Sequence, residues 1–337
     1  MAARHFHLSR SAITKHLHVL VAQGVLKATG KTKARSYRLR SIAQKAFTLQ
    51  INSEVYEDVI WRENIKPLLL DMKENVLNIC AHGFNEMLNN AIDHSEAATA
   101  SIRVRRDAAQ IRMVVHDHGV GIFNKIQREF NLNDPQHAIL ELAKGKLTTD
   151  KQRHTGEGIF FTSRMFDYFM IESGHLSFCR SNRGDLEGDW LLDSDEKTLV
   201  RGTSVTLLIH TNATQTVKEI FDKYRAEFDE YGFSRTVIPL ALLKYEGEQL
   251  ISRSQAKRLL ARVDQFKEVV LDFRGITTIG QAFADEIFRV YRGGHPNVTL
   301  RPVHTNDEIN RIIQRAESLE SSGSTRPSST PHRIQPS

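Results

Sequence analysis

Cysteine, proline and long apolar runs are all scarce in this chain. Its two cysteines, Cys80 and Cys179, stand far apart in apolar surroundings. That excludes a disulfide framework or a thiolate metal site and points to small core residues in a reducing compartment. No apolar run approaches the roughly 18 residues that a bilayer span requires. Met1 leads straight into polar sequence instead of a charged-then-apolar leader. A cytoplasmic protein with no membrane association is therefore expected. The most informative absence is acidic: no Asp or Glu precedes Glu54. Of the 46 basic residues, ten fall in that stretch: Arg4, Arg10, Lys15, Lys27, Lys31, Lys33, Arg35, Arg38, Arg40 and Lys45. The rest of the chain is acidic on balance, so the net charge of +6 belongs to one end. A one-sided basic field of this kind suits a segment that meets phosphates. With 337 residues, the chain has room for two or three domains.

The basic end has its own pattern. In AARHFHLSRSAITKHLHVLVAQ, residues 2–6 read as the end of one helix, and Ser9 or Ser11 can cap the next. That second helix runs to about Gln23 with Ile13, Leu17 and Leu20 on one face, and Gly24 ends it. VLKAT, a GKTKA turn and RSYRL then alternate like a two-stranded hairpin. Helix, turn, helix and basic hairpin resemble the winged helix-turn-helix of bacterial transcriptional regulators. The resemblance makes Ser9, Arg10, Ser11, Thr14, Lys15 and His18 candidate groove contacts, and Lys31, Lys33 and Arg35 candidate phosphate contacts. DNA is the partner it implies; a protein-binding wing with a solvated basic surface is the rival. Family members carry a further helix before this point, so an upstream helix is expected beyond Met1.

In the middle of the chain, FNEMLNNAIDH (84–94) crowds polar groups onto an otherwise apolar helix. Phe84, Met87, Leu88, Ala91 and Ile92 recur at core-facing spacing. Glu86 and Asn90 are four apart and share a face. TASIRVRR and AQIRMVVHD follow as alternating strands, the second running into HDHGVGI (116–122). HTGEGIFF (154–161) then opens an apolar helix with Gly156 and Gly158, and RGTSVTLLI (201–209) sets Gly202 and Thr203 at a strand start. Each piece has a chemical use. An amide oxygen can complete a magnesium shell, and a nearby carboxylate can draw a proton from water. Asp117 offers an acceptor for the amine of adenine, while Gly119 and Gly121 let backbone approach the base. Gly156 and Gly158 place bare amides at a helix N-terminus, where phosphate oxygens are favoured.

In this order, E-x-x-x-N, D-x-G-x-G, G-x-G and G-T resemble the boxes of the GHKL ATPase superfamily, which includes gyrase, the heat-shock chaperone, histidine kinases and the mismatch-repair protein. The resemblance covers about residues 54–212. It implies an α/β sandwich, a mixed sheet covered on one face by helices, with ATP and Mg²⁺ as cofactors. It assigns Glu86 as general base, Asn90 as magnesium ligand and Asp117 as adenine reader, with Thr203 donating beside it. Asp93 and His94 match positions that line the pocket in some members. Residues 123–155 are expected as a flexible lid, with Lys144, Lys146, Lys151, Arg153 and His154 as candidate γ-phosphate partners. None of His5, His7, His16, His18 and His82 sits in a phosphoacceptor context, which disfavours a sensor kinase.

The last third alternates helices and apolar strands, an α/β pattern. VVLDFRGITTIGQAFADEIF resembles a STAS-like domain, the fold of anti-anti-sigma factors. The turn where those factors carry a phosphorylated serine reads Ile279-Gly280-Gln281-Ala282 here, without a hydroxyl. Docking to a protein partner is therefore favoured over phosphotransfer. The expected organisation is multidomain α/β: a winged helix over 1–41, a GHKL-type ATP-binding domain over 42–212, a connector over 213–234, a STAS-like domain over 235–318 and a Ser/Pro-rich disordered tail over 319–337. Function is read as an ATP-switched, DNA-binding regulator with slow hydrolysis. The alternative is an anti-sigma-type serine/threonine kinase acting on a STAS partner. Homodimerisation is common to both families and is expected here.

Overall fold

A computed structural model describes residues 7–52, 54–147, 156–183, 187–194, 199–225, 232–244 and 248–321. The chain divides into two compact units, 1–223 and 224–337.

The first unit opens with α1 (Arg10–Ala22), capped by Ser9, whose hydroxyl accepts from Ala12 N at 3.1 Å. Gly24 takes the left-handed conformation that ends the helix, φ +74°. An antiparallel hairpin follows, β1 (Leu26–Thr29) with β2 (Ser36–Leu39). The helix expected to end at residue 6 lies outside the described residues. Across 7–50 no described side chain is buried, and the apolar face of Ile13, Leu17 and Leu20 is only half-covered. The chain continues into β3 (Ala43–Gln50) and a short helical run over 57–68. That run stops before the next helix. The long helix α2 starts anew at Glu74 and ends at His94.

Helix α2 buries Val76, Ile79, Cys80 and, of the expected stripe, Phe84, Met87, Leu88 and Ala91, while Ile92 is only half-buried. Gly83 lets it lie close to Phe166: a Cβ there would stand 2.3 Å from the ring. Next come β4 (Thr99–Arg106), β5 (Gln110–Asp117), α3 (Ile122–Glu129), α4 (Pro135–Lys144) and α5 (Gly158–Met165). β6 (Tyr168–Gly174), β7 (Leu176–Ser181), β8 (Gly188–Asp193), β9 (Val200–His210) and α6 (Val217–Lys223) complete the unit. The seven strands form one sheet in the order β3-β4-β5-β9-β6-β7-β8. Every pairing is antiparallel, so the expected mixed sheet is corrected. Strict alternation in β4 and β5 turns one face toward the helices and leaves the other open to polar side chains.

The second unit is a three-stranded parallel sheet, β10 (Arg235–Pro239), β11 (Glu268–Asp272) and β12 (Thr299–Val303). Helices α7 (Arg253–Leu260) and α8 (Gln281–Asp285, prolonged to 294) join these strands, and α9 (Asp307–Ser321) follows the last of them. A reciprocal Ser252–Gln255 capping box starts α7. The first three residues of the expected tail are the last of α9, and the remainder lies outside the described residues. No helix among the described residues is long and apolar enough to cross a membrane.

Candidate nucleotide site

The open end of the first unit's helix-covered face holds a cavity of about 290 Å³. Helix α2 supplies Glu86, Asn90 and His94, successive turns of one face, with Met87 and Ala91 beside them. Asp117 reaches the cavity from the last position of β5, and Thr203 from β9. Those two are cross-strand partners in the register. Antiparallel pairing, not sequence proximity, thus brings them together.

Asp117 is 5% exposed. Its Oδ1 accepts from Gly119 N at 2.9 Å and Thr203 N at 3.2 Å, while Oδ2 has no donor among the described residues. Burial pushes its carboxyl above the usual range, and the two backbone bonds pull it back. Thr203 Oγ1 accepts from Ile122 N at 3.0 Å, which leaves its own proton to donate. Half-buried Asn90 makes no side-chain hydrogen bond among the described residues.

Each glycine of the motifs answers to a neighbour. A Cβ on Gly119 would strike Ser95 O at 1.8 Å; the residue does not line the cavity. On Gly121, which has φ +83°, a Cβ would meet Ser173 Oγ at 2.6 Å. So Gly119 serves packing of the loop on the protein rather than the close approach of a base expected from sequence, whereas Gly121 does line the cavity. Gly156 lines the cavity, and its carbonyl accepts from Leu147 N at 3.2 Å. Gly158 opens α5 where a Cβ would lie 2.0 Å from Glu86 Oε2. The catalytic candidate therefore rests against the helix N-terminus that was expected to cradle phosphate.

Other expectations fall differently. Asp93 is exposed and does not line the cavity. Lys144 is buried and ion-paired to Glu141 at 2.6 Å, so it is not a free phosphate partner. Residues 122–147 are not a loose lid: α3 and α4 pack with Phe123, Ile126, Ile139 and Leu140 buried. Lys146 sits half-buried with φ +53°, and Lys151, Arg153 and His154 lie outside the described residues. One lining residue had no signal in the spacing. Lys125 on α3 donates to His94 O at 2.8 Å and Glu96 Oε1 at 3.3 Å, fastening α3 to the end of α2.

On the basic end, Arg10, Ser11, Thr14, Lys15 and His18 are exposed along α1, where they share one face. Thr14 Oγ1 donates back to Arg10 O at 2.9 Å, and the Ser9 hydroxyl is spent as the cap. Lys31 and Arg35 are exposed at the hairpin turn, with Arg35 5.5 Å over the Tyr37 ring. Lys33 belongs to the turn's single helical loop, residues 32–34.

The donor set fits an adenine nucleotide with its metal. Asp117 is a buried residue whose Oδ2 has no donor among the described residues, Asn90 holds an unused amide, and apolar Met87, Val115 and Ile126 can contact a flat base. Fold and cavity together define a nucleotide-site α/β sandwich. Residues 64–177 match the family described as "Histidine kinase-like ATPase domain", and residues 255–310 match "STAS-like domain of unknown function (DUF4325)". The chain thus carries a histidine kinase-like (GHKL) ATPase domain and a STAS-like domain. No curated protein matches the chain. Glu86, Asn90 and Asp117 lie inside the matched span, whereas Thr203 lies beyond it and is tied to the site by the β5–β9 register.

Proposed function

We propose that this chain is an ATP-responsive DNA-binding regulator. A GHKL-type domain beside a STAS-like domain fits an ATP-binding regulator. One observation carries the nucleotide assignment: Asp117, a buried residue whose Oδ2 has no donor among the described residues, lines the same cavity as Asn90, whose amide makes no hydrogen bond among them. A carboxylate oxygen and an amide without protein partners are open to a ligand, and hydrogen bonds to a charged acceptor are the stronger kind. When bound, Mg²⁺-ATP would supply the triphosphate and the electrophilic γ-phosphorus. Asp117 would accept from the purine amine and Thr203 would donate beside it. Asn90 would hold the metal, and Glu86 would accept the proton of a water. His94 and Lys125 border the same space.

The DNA assignment rests on the exposed basic face of α1 and the hairpin. Ligand occupancy alters DNA affinity only to the extent that nucleotide binds two states unequally. The test is a titration of duplex DNA into the full chain, with and without ATP and Mg²⁺. Affinity that falls steeply with salt and changes with nucleotide is expected. Salt-insensitive binding, or none, would refute the DNA reading. Transfer of labelled γ-phosphate onto protein, rather than release as free phosphate, would replace the regulator reading by a kinase.

A further inference from the structure

We infer that the DNA footprint does not stop at the hairpin but continues onto the open face of the ATPase sheet, through Arg103, Arg105 and Arg112. The inference rests on the DNA reading above and extends it to a surface that no family match assigns.

These three side chains lie on the face of β4 and β5 turned away from the helices, and all three are exposed. Arg105 stands directly opposite Arg112 in the register, and Arg103, opposite Val114, is diagonal to Arg112. Like charges placed directly opposite on adjacent strands destabilise a sheet. The flanking strands offer no relief, because the neighbours are Gln44 and Ala46 on β3 and Leu208 and Thr206 on β9. None of the three arginines makes a hydrogen bond or an ion pair among the described residues. Several arginines elsewhere are partnered: Arg106 with Asp71, Arg180 with Asp189, Arg183 with Asp167, Arg289 with Asp285 and Arg292 with Glu317.

The same device recurs in the hairpin. Lys27 is paired across from Arg38, both are exposed, and neither has a partner among the described residues. The two basic segments are joined without slack. Arg40 N donates to Val25 O at 2.9 Å, closing the hairpin, and Ile42 N donates to Arg106 O at 2.8 Å, opening the sheet. Only Ser41 separates them. From Arg38 to Gln44, the residue opposite Arg105, the chain can span at most about 21 Å. A duplex repeats its backbone about every 34 Å, so one DNA segment can lie along both. A polyanion with closely spaced phosphates neutralises both like-charged pairs, and duplex DNA carries one charge per about 1.7 Å of axis.

The test uses full-length protein, a labelled 30-base-pair duplex of arbitrary sequence and a salt series. Each lost phosphate contact should flatten the slope of log affinity against log salt by about 0.9. The triple variant R103Q/R105Q/R112Q should flatten it by about 2.7, and K27Q/R38Q by about 1.8. ATP affinity should stay level in both, because none of these residues lines the cavity. Thermal melts serve as the folding control, and removal of like-charge repulsion should leave the midpoint unchanged or raised. Should the triple variant unfold, R105Q alone provides the reading, with an expected change of about 0.9. If the hairpin variant weakens binding while the arginine variants keep the wild-type slope, the extension is wrong and the DNA reading stands. If wild type shows no salt-dependent duplex binding, or takes up polyglutamate in its place, both are overturned.

Discussion

Replacing Asp117 by Asn separates the carboxylate's two jobs. Oδ1 holds the loop by accepting from Gly119 N and Thr203 N, and an amide oxygen can keep both bonds. Oδ2 has no donor among the described residues, and an amide would present a donor in its place. The fold should therefore survive while recognition of a purine amine fails. A hydrogen bond to a charged acceptor contributes about 1.5–3 kcal/mol. At about 1.4 kcal/mol per decade, ATP should bind about 10- to 150-fold more weakly by calorimetric titration. Preference for ATP over GTP should also shrink, since an amide can donate to the guanine carbonyl. Stability supplies an independent check. Burial raises the folded-state value of Asp117, so the folded chain holds this proton longer than the unfolded chain does. Its contribution is fully present below the ordinary carboxylate value and is lost as pH rises through the raised one. Wild type should lose stability across that window relative to D117N. Unchanged ATP affinity in a folded D117N protein would refute the site assignment.

Three further outcomes follow from the geometry. Glu86→Gln should lower single-turnover phosphate release about 10²- to 10⁴-fold while ATP still binds, if the carboxylate is the base. Gly158→Ala places a methyl 2.0 Å from Glu86 Oε2, so the carboxylate must shift; turnover should drop about 100-fold, and wild-type turnover would show that the contact is irrelevant. Phe84→Ala empties a fully buried site beside Trp61 and should cost about 3–5 kcal/mol in urea denaturation.

Much of this site was legible because its chemistry sits on local periodicity. The Glu86–Asn90–His94 face follows from helical spacing, and the alternation of 99–117 gives β4 and β5 with their buried faces. Other features depend on long-range register, which no local pattern encodes. Asp117 meets Thr203 only because β9 inserts between β5 and β6. Lys125 escaped notice because its main partner is a backbone carbonyl, which every residue possesses. Lys144 looked like a phosphate ligand until tertiary packing gave it Glu141. Gly119 was expected to make room for a base, but the crowding comes from Ser95 O. In each case the residue's type was readable, while its neighbour was set by the fold.

The most direct test is a crystal structure of the full chain with a non-hydrolysable ATP analogue and Mg²⁺. The account predicts the adenine amine on Asp117 Oδ2, the metal on Asn90 and Glu86 facing the terminal phosphate. Nucleotide bound elsewhere, with the cavity between α2 and β5 unfilled, would contradict it.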